Sequence, residues 1–313
     1  MVTGGTGSFG QEFTQIALQH NPEVIRIFSR GEHLQQEMER RFNDNRLRFF
    51  IGDIRDKDRL WRAMDGVDIV IHAAALKCVP VAEYNPREAI LTNINGTLNV
   101  VDTAIDRGVG KVIGISSDKA VHPVNLYGAT KACMEKLFVQ ANVYTSGTRF
   151  SCVRYGNVVA SKGSVILLWR EQRKTGELEI TDERMTRFWI PLEQGVDFVI
   201  SCIEAMVGGE VFIPKIPSMR ITDLAEVIAP ECQKRITGIR PGEKLHEVLL
   251  TEEESKHTRE FENYFVITPE FPYWTEDSFM FGGELPEGFR YSSNSNSQWL
   301  SREDLEKIIS EIT

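Results

Sequence analysis

Tyr127 and Lys131 are residues whose types and spacing could carry chemistry. They lie four positions apart, and therefore on one face, of a helix that we predict over 126–145. An ammonium group near a tyrosine stabilises the phenolate, which lets the tyrosine act as a base toward a hydroxyl near neutral pH. This spacing is common in proteins, so its meaning depends on the residues around it.

An acid and a base stand on adjacent positions shortly before this pair. Ser117 ends a predicted strand and is followed at once by Asp118 and Lys119. A plain alcohol oxidation needs no such extra pair, whereas the loss of water needs both a proton donor and a base. Lys119 could be that base if burial or a cationic neighbour lowers its pKa. The structural alternative is an aspartate that caps the turn beside a solvated lysine.

The start of the chain contains a glycine-rich turn that is typical of dinucleotide binding. Gly4, Gly7 and Gly10 stand between a short β-rich stretch and a predicted helix. Glycine lets the backbone turn tightly and approach a pyrophosphate, whose charge then rests at the helix N-terminus. The predicted contacts are Gly4, Gly5, Thr6, Gly7, Ser8, Phe9 and Gly10.

The end of the second predicted strand indicates which dinucleotide binds. An NAD site commonly offers Asp or Glu there, but this chain has Ser29 and Arg30. A hydroxyl and a guanidinium suit a 2′-phosphate, so we predict NADP, the alternative being a solvent-facing loop arginine. His72 is interpreted as a packed strand-end histidine. Further predicted cofactor contacts are Asp53 and Ile54 near the adenine, Ala73 and Ala74 where the dinucleotide crosses the sheet, and Lys77, Asn95, Tyr127 and Lys131.

Short β-rich runs alternate with longer amphipathic segments through the first half of the chain. Strands are predicted at 24–28, 47–51, 68–72, 111–115 and 151–155, and helices at 9–20, 33–43, 57–64, 86–107 and 126–145. This alternation predicts right-handed crossovers and an α/β fold with a Rossmann-type, doubly wound parallel sheet. Only Met1, Val2 and Thr3 precede the glycines, whereas strands usually have about 5–6 residues, so we expect the first strand to continue upstream.

Beyond Asn157 the alternation loosens. We predict helices at 164–175, 192–206, 221–229, 243–250 and 302–312, short strands within 178–190, and a strand at 210–214 that returns to the parallel sheet. The chain should therefore contain an NADP-binding domain over 1–157 plus about 191–214. A smaller α+β domain that binds a nucleotide sugar, over 158–190 and 215–313, would be interleaved with it.

Composition excludes several classes of protein. Of 313 residues, 42% are hydrophobic and 26% charged, with a net charge of -9, which indicates a globular chain and argues against nucleic-acid binding. No apolar run approaches the roughly 20 residues of a membrane span and no signal peptide is evident, so we expect a cytoplasmic protein. The five scattered cysteines lack a C-x-x-C pair, which predicts reduced thiols and no metal.

Together, these motifs resemble the extended short-chain dehydrogenase/reductase family over nearly the whole chain. T-G-G-T-G-S-F-G, H-A-A-A, T-N-I-N-G-T, Y-G-A-T-K and R-Y-G-N-V stand in that family's order. Longer stretches at 75–86, 116–131, 185–190 and 238–247 are similar to the inverting UDP-N-acetylglucosamine 4,6-dehydratases, which act early in the route to pseudaminic acid. Tyr127 supports the inverting group, since retaining relatives usually carry methionine there. The usual Thr-Asp-Glu of nucleotide-sugar dehydratases is here Ser-Asp-Lys.

The resemblance implies a reaction at three sugar carbons. Oxidation at carbon 4 acidifies the hydrogen at carbon 5, and the hydride returns to carbon 6 after water has left. Tyr127 would be the first base, with Lys131 lowering its pKa and binding the nicotinamide ribose. Asp118 would protonate the carbon 6 hydroxyl and Lys119 would remove the carbon 5 proton, while Ser117 completes the catalytic set.

An anionic substrate requires basic and polar groups on this acidic chain. Arg187 and Arg240 are candidates for the diphosphate because guanidinium pairs with its oxygens, and Lys77 adds a positive charge. Asn157 follows a strand at the ligand-binding edge of the sheet, and Glu243 could accept ribose hydroxyls. By resemblance, Val165 and Thr181 fall near the uridine of UDP-N-acetylglucosamine. The resemblance also implies a homo-oligomer, either a hexamer or a smaller assembly.

Two other functions are compatible with parts of this pattern. A UDP-sugar 4-epimerase shares the cofactor site and the Tyr/Lys pair but needs no acid–base pair for water loss. A non-catalytic NADP-sensing protein need not retain all four of the residues Asp118, Lys119, Tyr127 and Lys131. The presence of all four in this chain therefore argues against this function.

Overall fold

The fold is described from a computed structural model that covers residues 1–159, 165–270, 279 and 281–311. Its strands are β1 Val2–Thr3, β2 Ile25–Ser29, β3 Leu47–Ile51, β4 Ile69–His72, β5 Lys111–Ile115, β6 Arg149–Val153, β7 Asn157–Val158, β8 Glu177–Ile180, β9 Thr186–Ile190, β10 Val211–Pro214, β11 Ser218–Arg220, β12 Gln233–Ile236, β13 Val248–Leu250, β14 Thr258–Glu260, β15 Tyr264–Ile267, β16 Gly283–Glu284 and β17 Tyr291–Ser292. Its α-helices are α1 Ser8–Ala17, α2 Glu32–Phe42, α3 Lys57–Ala63, α4 Val79–Tyr84, α5 Pro86–Ile90, α6 Gly96–Asp106, α7 Leu126–Ala141, α8 Val165–Arg173, α9 Leu192–Ala205, α10 Ile221–Ile228, α11 Glu252–Ser255 and α12 Arg302–Ser310.

One large twisted sheet organises the molecule. Among the described residues it has ten strands in the order β16-β14-β15-β10-β6-β5-β4-β1-β2-β3. The strands from β10 to β3 pair in parallel, while β15 pairs antiparallel with β10. The strand order reverses between β1 and β4, which is where open α/β sheets bind their ligands at the carboxyl ends of the strands. The predicted doubly wound parallel sheet is therefore confirmed, as is the return of 210–214 to it.

Helices cover both faces of this sheet because its strands are apolar on both sides. One buried cluster joins the sheet to α1, α2 and α9 through side chains such as Phe13, Met38 and Val199. The opposite cluster joins it to α3, α6 and α7 through side chains such as Leu60 and Phe138. This sandwich holds the carboxyl ends of β1, β4, β5 and β6 in fixed positions relative to one another.

The helix predicted over 86–107 is divided into three parts. After α5, residues Leu91–Asn95 form a π-helical turn, and α6 begins at Gly96. A side chain at Gly96 would press on Ile54, with a Cβ 2.6 Å from its Cδ1. The π-helical turn directs Asn93, which lies within it, toward the segment after β4. The sequence pattern did not reveal this irregularity.

The helix predicted over 243–250 is wrong. Residues Val248–Leu250 form β13, which pairs antiparallel with β17. The amide of Glu247 donates to Ser293 Oγ at 2.9 Å, and the amide of Ser293 donates to the carbonyl of Glu247 at 2.8 Å. These bonds fix an extended backbone, and the run that suggested one apolar helix face is instead buried continuously.

Most other predicted elements lie within a few residues of observed ones. The first strand has only Val2 and Thr3, which pair with both β2 and β4. Ser164 and Ile312, at the ends of two predicted helices, fall outside the described residues. Within the described ranges, no helix combines the length and apolar character needed to cross a membrane.

Candidate active site

The turn after β5 brings the predicted acid and base into contact. Ser117 Oγ accepts a hydrogen bond from the Lys119 amide at 3.1 Å and donates to Asp118 Oδ1 at 2.8 Å. The ammonium of Lys119 lies 3.0 Å from the same Asp118 oxygen. Asp118 has no solvent exposure, so this ion pair stands at the base of a buried site. Ser117 therefore caps the turn and also orients the aspartate.

Tyr127 enters this site from the first turn of α7. The helix begins after Asn125, whose side chain accepts from the amide of Gly128 at 2.8 Å. Gly128 allows close contact, since a Cβ there would lie 2.1 Å from the carbonyl oxygen of Lys119. The phenol is buried, and Ser117 acts to lower its pKa. The spacing between the turn and the tyrosine thus reflects direct packing of α7 on the catalytic turn.

In the ligand-free chain, burial and the charge of Lys119 both act on the ionisation of Tyr127. Burial raises the pKa of Tyr127 to about 12, against the lowering effect of the Lys119 ammonium. The ammonium of Lys131 donates to the Ile115 carbonyl at 2.7 Å and contacts Met134 Sδ at 3.4 Å. Burial also lowers the pKa of Lys131 to about 8. The tyrosine is therefore protonated at neutral pH in the ligand-free chain.

The lowered pKa that a base at Lys119 would require is not found in the ligand-free chain. Burial does act to lower this pKa, but the carboxylates of Asp118 and Glu247 outweigh it and raise the pKa well above its ordinary value. Lys119 is thus an ammonium in the ligand-free chain. The sequence placed one carboxylate beside it, and the fold adds a second from a distant segment.

Glu247 is a site residue that sequence reasoning missed. Its side chain is buried, with Oε1 3.9 Å from Lys119 Nζ and 3.7 Å from Arg187 Nε, and Oε2 3.8 Å from Lys244 Nζ. Burial and the charge of Asp118 raise the pKa of Glu247, although the three cations oppose them. A polar run in the R-P-G-E-K-L-H-E stretch was the available signal, but the predicted helix there gave Glu247 no defined direction.

Several buried oxygen atoms at this end lack hydrogen-bond partners. Among the described residues, the buried side-chain atoms in this state are Asp118 Oδ2, Asn157 Oδ1, Glu243 Oε2 and Glu247 Oε2, together with Thr103 Oγ1 and Arg107 Nε on α6 and its C-terminal end. The first four are all acceptors on predicted substrate residues or their neighbours. Buried polar groups are normally satisfied, so these oxygens suit a ligand that donates several hydrogen bonds. Sugar hydroxyls have this property.

The glycine-rich turn fits a dinucleotide. Gly4 has a φ of 69°, and a Cβ on it would lie 2.9 Å from the backbone of Ala74. Gly7 precedes α1, whose first amides have no side-chain cap. The turn thus brings Ala73 and Ala74 of the H-A-A-A stretch close to the glycine-rich segment that leads into the helix N-terminus.

His72 belongs to the framework of this turn. It is buried between Thr3 Oγ1 at 2.9 Å and Thr97 Oγ1 at 3.2 Å, and burial lowers its pKa to about 3. Its interpretation as a packed strand-end histidine is confirmed.

The residues predicted around the adenine end lie at different depths. Arg30 is exposed, and Ser29 is buried with its Oγ accepting from Gln35 Nε2 at 3.0 Å. Asp53 forms an ion pair with Arg55 at 2.6 Å. Ile54 is buried beneath α6.

The T-N-I-N motif contributes through its first asparagine. Asn95, the predicted contact, is exposed. Asn93 is buried and bonds with the amide and carbonyl of Leu76 at 2.7 and 3.0 Å, and with Thr130 Oγ1 at 2.9 Å. It therefore ties the segment after β4 to α7, a role that the sequence did not distinguish.

The predicted substrate residues are only partly brought together. Asn157 pairs in register with Trp189, two positions after Arg187 on β9. Desolvation and the charge of Lys119 lower the pKa of Lys77, which places these two lysines near each other. Val165 begins α8 and packs against an apolar cluster, while Thr181 and Arg240 form no side-chain bond with the catalytic turn among the described residues.

A Rossmann-type sheet with a Ser, a Tyr and a Lys at its carboxyl edge defines the extended short-chain dehydrogenase/reductase class. The family described as "Polysaccharide biosynthesis protein" matches residues 1–269. The chain is 53% identical to UDP-N-acetylglucosamine 4,6-dehydratase (inverting) of Campylobacter jejuni subsp. jejuni strain 81-176, over 99% of this chain and 96% of that protein. It is 44% identical to UDP-glucose 4-epimerase of Rickettsia rickettsii, over 85% of this chain and 82% of that protein.

Solved structures share this fold. The crystal structure of Pen from Bacillus thuringiensis superposes with a TM-score of 0.91 at 39% identity, over 99% of this chain and 96% of that one. DesIV, a dTDP-glucose 4,6-dehydratase from Streptomyces venezuelae solved with NAD, shares the fold with a TM-score of 0.71 at 24% identity, over 78% of this chain and 85% of that one. The chain therefore belongs to the polysaccharide biosynthesis protein family and, within it, to the family of inverting UDP-N-acetylglucosamine 4,6-dehydratases.

Proposed function

We propose that this chain is an NADP-dependent hydro-lyase that converts UDP-N-acetylglucosamine to a UDP-4-keto-6-deoxy-N-acetylhexosamine with inversion at carbon 5. The observation that carries the proposal is the contact between Lys119 Nζ and Asp118 Oδ1 at 3.0 Å, beside the hydroxyl of Tyr127. A redox tyrosine needs no such pair to move a hydride. An acid and a base in contact beside it suit the removal of water from a neighbouring pair of carbons.

The ion pair also suggests how a protonated Lys119 becomes a base. Transfer of one proton from Lys119 to Asp118 along their hydrogen bond produces a neutral amine and a carboxylic acid together. The amine then takes the proton from carbon 5, and the acid gives its proton to the hydroxyl leaving carbon 6 as water. This step restores the ammonium and the carboxylate, so elimination itself leaves the pair as it began.

Tyr127 acts before this elimination. Its phenolate form, beside Ser117, would take up the proton of the carbon 4 hydroxyl as that carbon is oxidised. Because the pKa of Tyr127 is about 12 in the ligand-free chain, ionisation requires additional positive charge. The buried Lys131 ammonium and the nicotinamide are the candidates.

A nicotinamide dinucleotide, when bound, accepts the hydride from carbon 4 and returns it to carbon 6. The turn at Gly4 and the uncapped start of α1 fit its pyrophosphate, and Lys131 would hold its nicotinamide ribose. We propose NADP because the end of β2 offers Ser29 and the exposed Arg30 rather than a carboxylate. Replacing Arg30 by alanine should weaken NADP binding more than NAD binding, measured by titration of the two cofactors. Equal losses would argue against a 2′-phosphate contact.

The substrate end is proposed from charge and from unpaired acceptors. Arg187, Arg240 and Lys77 would bind the diphosphate of a UDP-sugar. Asn157 and Glu243 would accept hydrogen bonds from its hydroxyl groups. Val165 and Thr181 would lie at the uridine. We also propose that the chain forms a homo-oligomer, which sedimentation equilibrium would measure directly.

Product analysis in deuterated water tests the proposed function. Incubation with UDP-N-acetylglucosamine should yield a product lighter by one water, with solvent deuterium at an inverted carbon 5 in the NMR spectrum. A product of unchanged mass with inverted carbon 4 would indicate the second candidate, a UDP-sugar 4-epimerase, which the 44% identical relatives favour. Recovery of unchanged substrate without deuterium would indicate an NADP-binding protein without this activity.

A further inference from the structure

Glu247 occupies an unusual position between two parts of the site. One oxygen of its carboxylate lies 3.9 Å from the Lys119 ammonium and 3.7 Å from Arg187 Nε. The other oxygen lies 3.8 Å from the Lys244 ammonium. None of these contacts is a hydrogen bond, and Oε2 has no hydrogen-bond partner. One buried carboxylate therefore faces three cations without closing a tight pair with any of them.

The backbone holds this carboxylate firmly in place. Glu247 exchanges hydrogen bonds with Ser293 through its amide and its carbonyl, immediately before β13 begins. Arg187 is fixed independently, since its guanidinium donates to the carbonyl of Thr186 at 2.8 Å and to that of Leu245 at 3.1 Å. The loose contacts between the carboxylate and its cations thus arise from well-anchored segments.

The cations that Glu247 separates repel one another. The positive charge of Arg187 acts to lower the pKa of Lys119, whereas Glu247 acts to raise it. Without this carboxylate, the ligand-free site would place Lys119, Arg187 and Lys244 together with only Asp118 as a buried counter-ion. Such an arrangement leaves more positive charge available to an anion that enters the site.

We propose that Glu247 is a positioning residue, a shared counter-ion that couples the diphosphate-binding arginine Arg187 to the base Lys119. In the ligand-free site it balances both cations. When a diphosphate binds Arg187, it neutralises that cation. The negative charge of Glu247 then acts mainly on Lys119. This inference rests on the proposed function for the base role of Lys119, but the competition at Arg187 concerns binding alone.

Two measurements on Glu247→Gln test this coupling. First, the affinity for UDP should rise about three- to tenfold, because Arg187 no longer shares its charge with a buried carboxylate. Calorimetric titration with UDP measures this without any turnover. A loss of UDP affinity would overturn the proposal, since a merely structural role of Glu247 predicts weaker binding.

Second, the pH dependence of the reaction should change. The charged or titratable groups that act on Lys119 are Asp118, Glu247, Arg187, Lys77, Lys244 and Tyr127. In the proposed mechanism the proton of Lys119 moves to Asp118 within the pair, so the acidic limb reports the uptake of a second proton by this pair. Removing the negative charge of Glu247 makes that uptake harder. The acidic limb of the dehydration rate should move to lower pH by about one unit. An unmoved limb would overturn the proposal.

Two further variants control for folding and for charge. Glu210→Gln removes another buried glutamate, which bonds with Ser151 and the amides of Val207 and Gly208 away from the site. It should change neither UDP affinity nor the pH limb. Glu247→Asp keeps the charge and should restore both readouts toward the parent values. If the parent chain forms no dehydrated product, the proposed function fails, while the UDP titration still decides the coupling between Glu247 and Arg187.

Discussion

Two clusters of buried charge lie on either side of the turn after β5, and they differ in how completely they are paired. In the first, Arg154 donates to both oxygens of Glu135 at 2.9 and 2.6 Å and to both oxygens of Glu254 at 3.0 and 2.8 Å. In the second, Lys119 and Glu247 are 3.9 Å apart, and oxygens of Asp118 and Glu247 lack partners. The first cluster is closed, whereas the second is open to a ligand.

A single physical criterion, whether buried charges have all their hydrogen bonds, distinguishes the structural cluster from the functional one. A buried ion pair repays its desolvation only when its remaining hydrogen-bonding capacity is filled. The Arg154 cluster meets this condition, since its fifth bond goes to the Leu249 carbonyl at 2.9 Å. The Lys119 cluster does not meet this condition, because oxygens of Asp118 and Glu247 lack hydrogen-bond partners. These free acceptors suit the binding of a substrate.

The strongest test of the open cluster is to remove its acid and its base. Asp118→Asn and Lys119→Met should each lower the dehydration rate by about 10²- to 10⁴-fold, the usual contribution of an acid or base group. Because neither residue is needed for the glycine-rich turn, cofactor affinity should stay within twofold or so of the parent value. Mass spectrometry of the product and cofactor titration measure these two effects. Dehydration at the parent rate in both variants would contradict the proposed roles of Asp118 as acid and Lys119 as base.

The closed cluster should respond in stability. Arg154→Met leaves the buried Glu135 and the half-buried Glu254 without their partner, and we expect a loss of about 3–5 kcal/mol in the free energy of unfolding. Urea denaturation measures this loss. Glu210→Gln again serves as the matched variant, because it removes a buried charge that pairs with no arginine among the described residues. If Arg154→Met kept its stability but lost dehydration, the division between the two clusters would be wrong.

The sequence was informative where local chemistry decides the structure. Alternating apolar runs predicted the parallel sheet, and the glycines predicted the tight turn in which Gly4 has a positive φ, because each depends on neighbouring residues. The proximity of Asp118 and Lys119 also follows from their adjacency. Tyr127 and Lys131 were correctly placed on one helix, although Lys131 turned out to bond the Ile115 carbonyl.

The electrostatics of the site could not be predicted in the same way. Lys244 reaches the carbonyl of Val121 from 123 positions away, and the same segment carries Glu247 to Lys119. Whether burial or charge controls the pKa of Lys119 depends on this long-range contact. The helix predicted over 243–250 concealed it, because sequence periodicity does not reveal the pairing of β13 with β17. The one neighbouring carboxylate visible in the sequence was therefore only part of the negative charge that acts on Lys119.

The pH dependence of stability gives the finest contrast between the clusters. The pKa of Glu254 lies below its ordinary value of 4.5 because bonds from Arg154 outweigh desolvation, so its contribution is complete above that pH and is lost as pH falls. The pKa of Glu247 lies above 4.5, so its ionisation costs stability as pH rises through that range. Glu254→Gln should therefore lose about 1–2 kcal/mol near neutral pH and less in acid.

Glu247→Gln should show the opposite trend, gaining stability relative to the parent chain as pH rises above 4.5. Urea unfolding of both variants and the parent at several pH values measures the two slopes. If the stability of both variants relative to the parent changed with pH in the same direction, the two carboxylates would share one environment. The distinction between a closed and an open cluster would then fail. Opposite slopes would place the cost of the open cluster on the ionised Glu247, which is the charge that a bound substrate would have to accommodate.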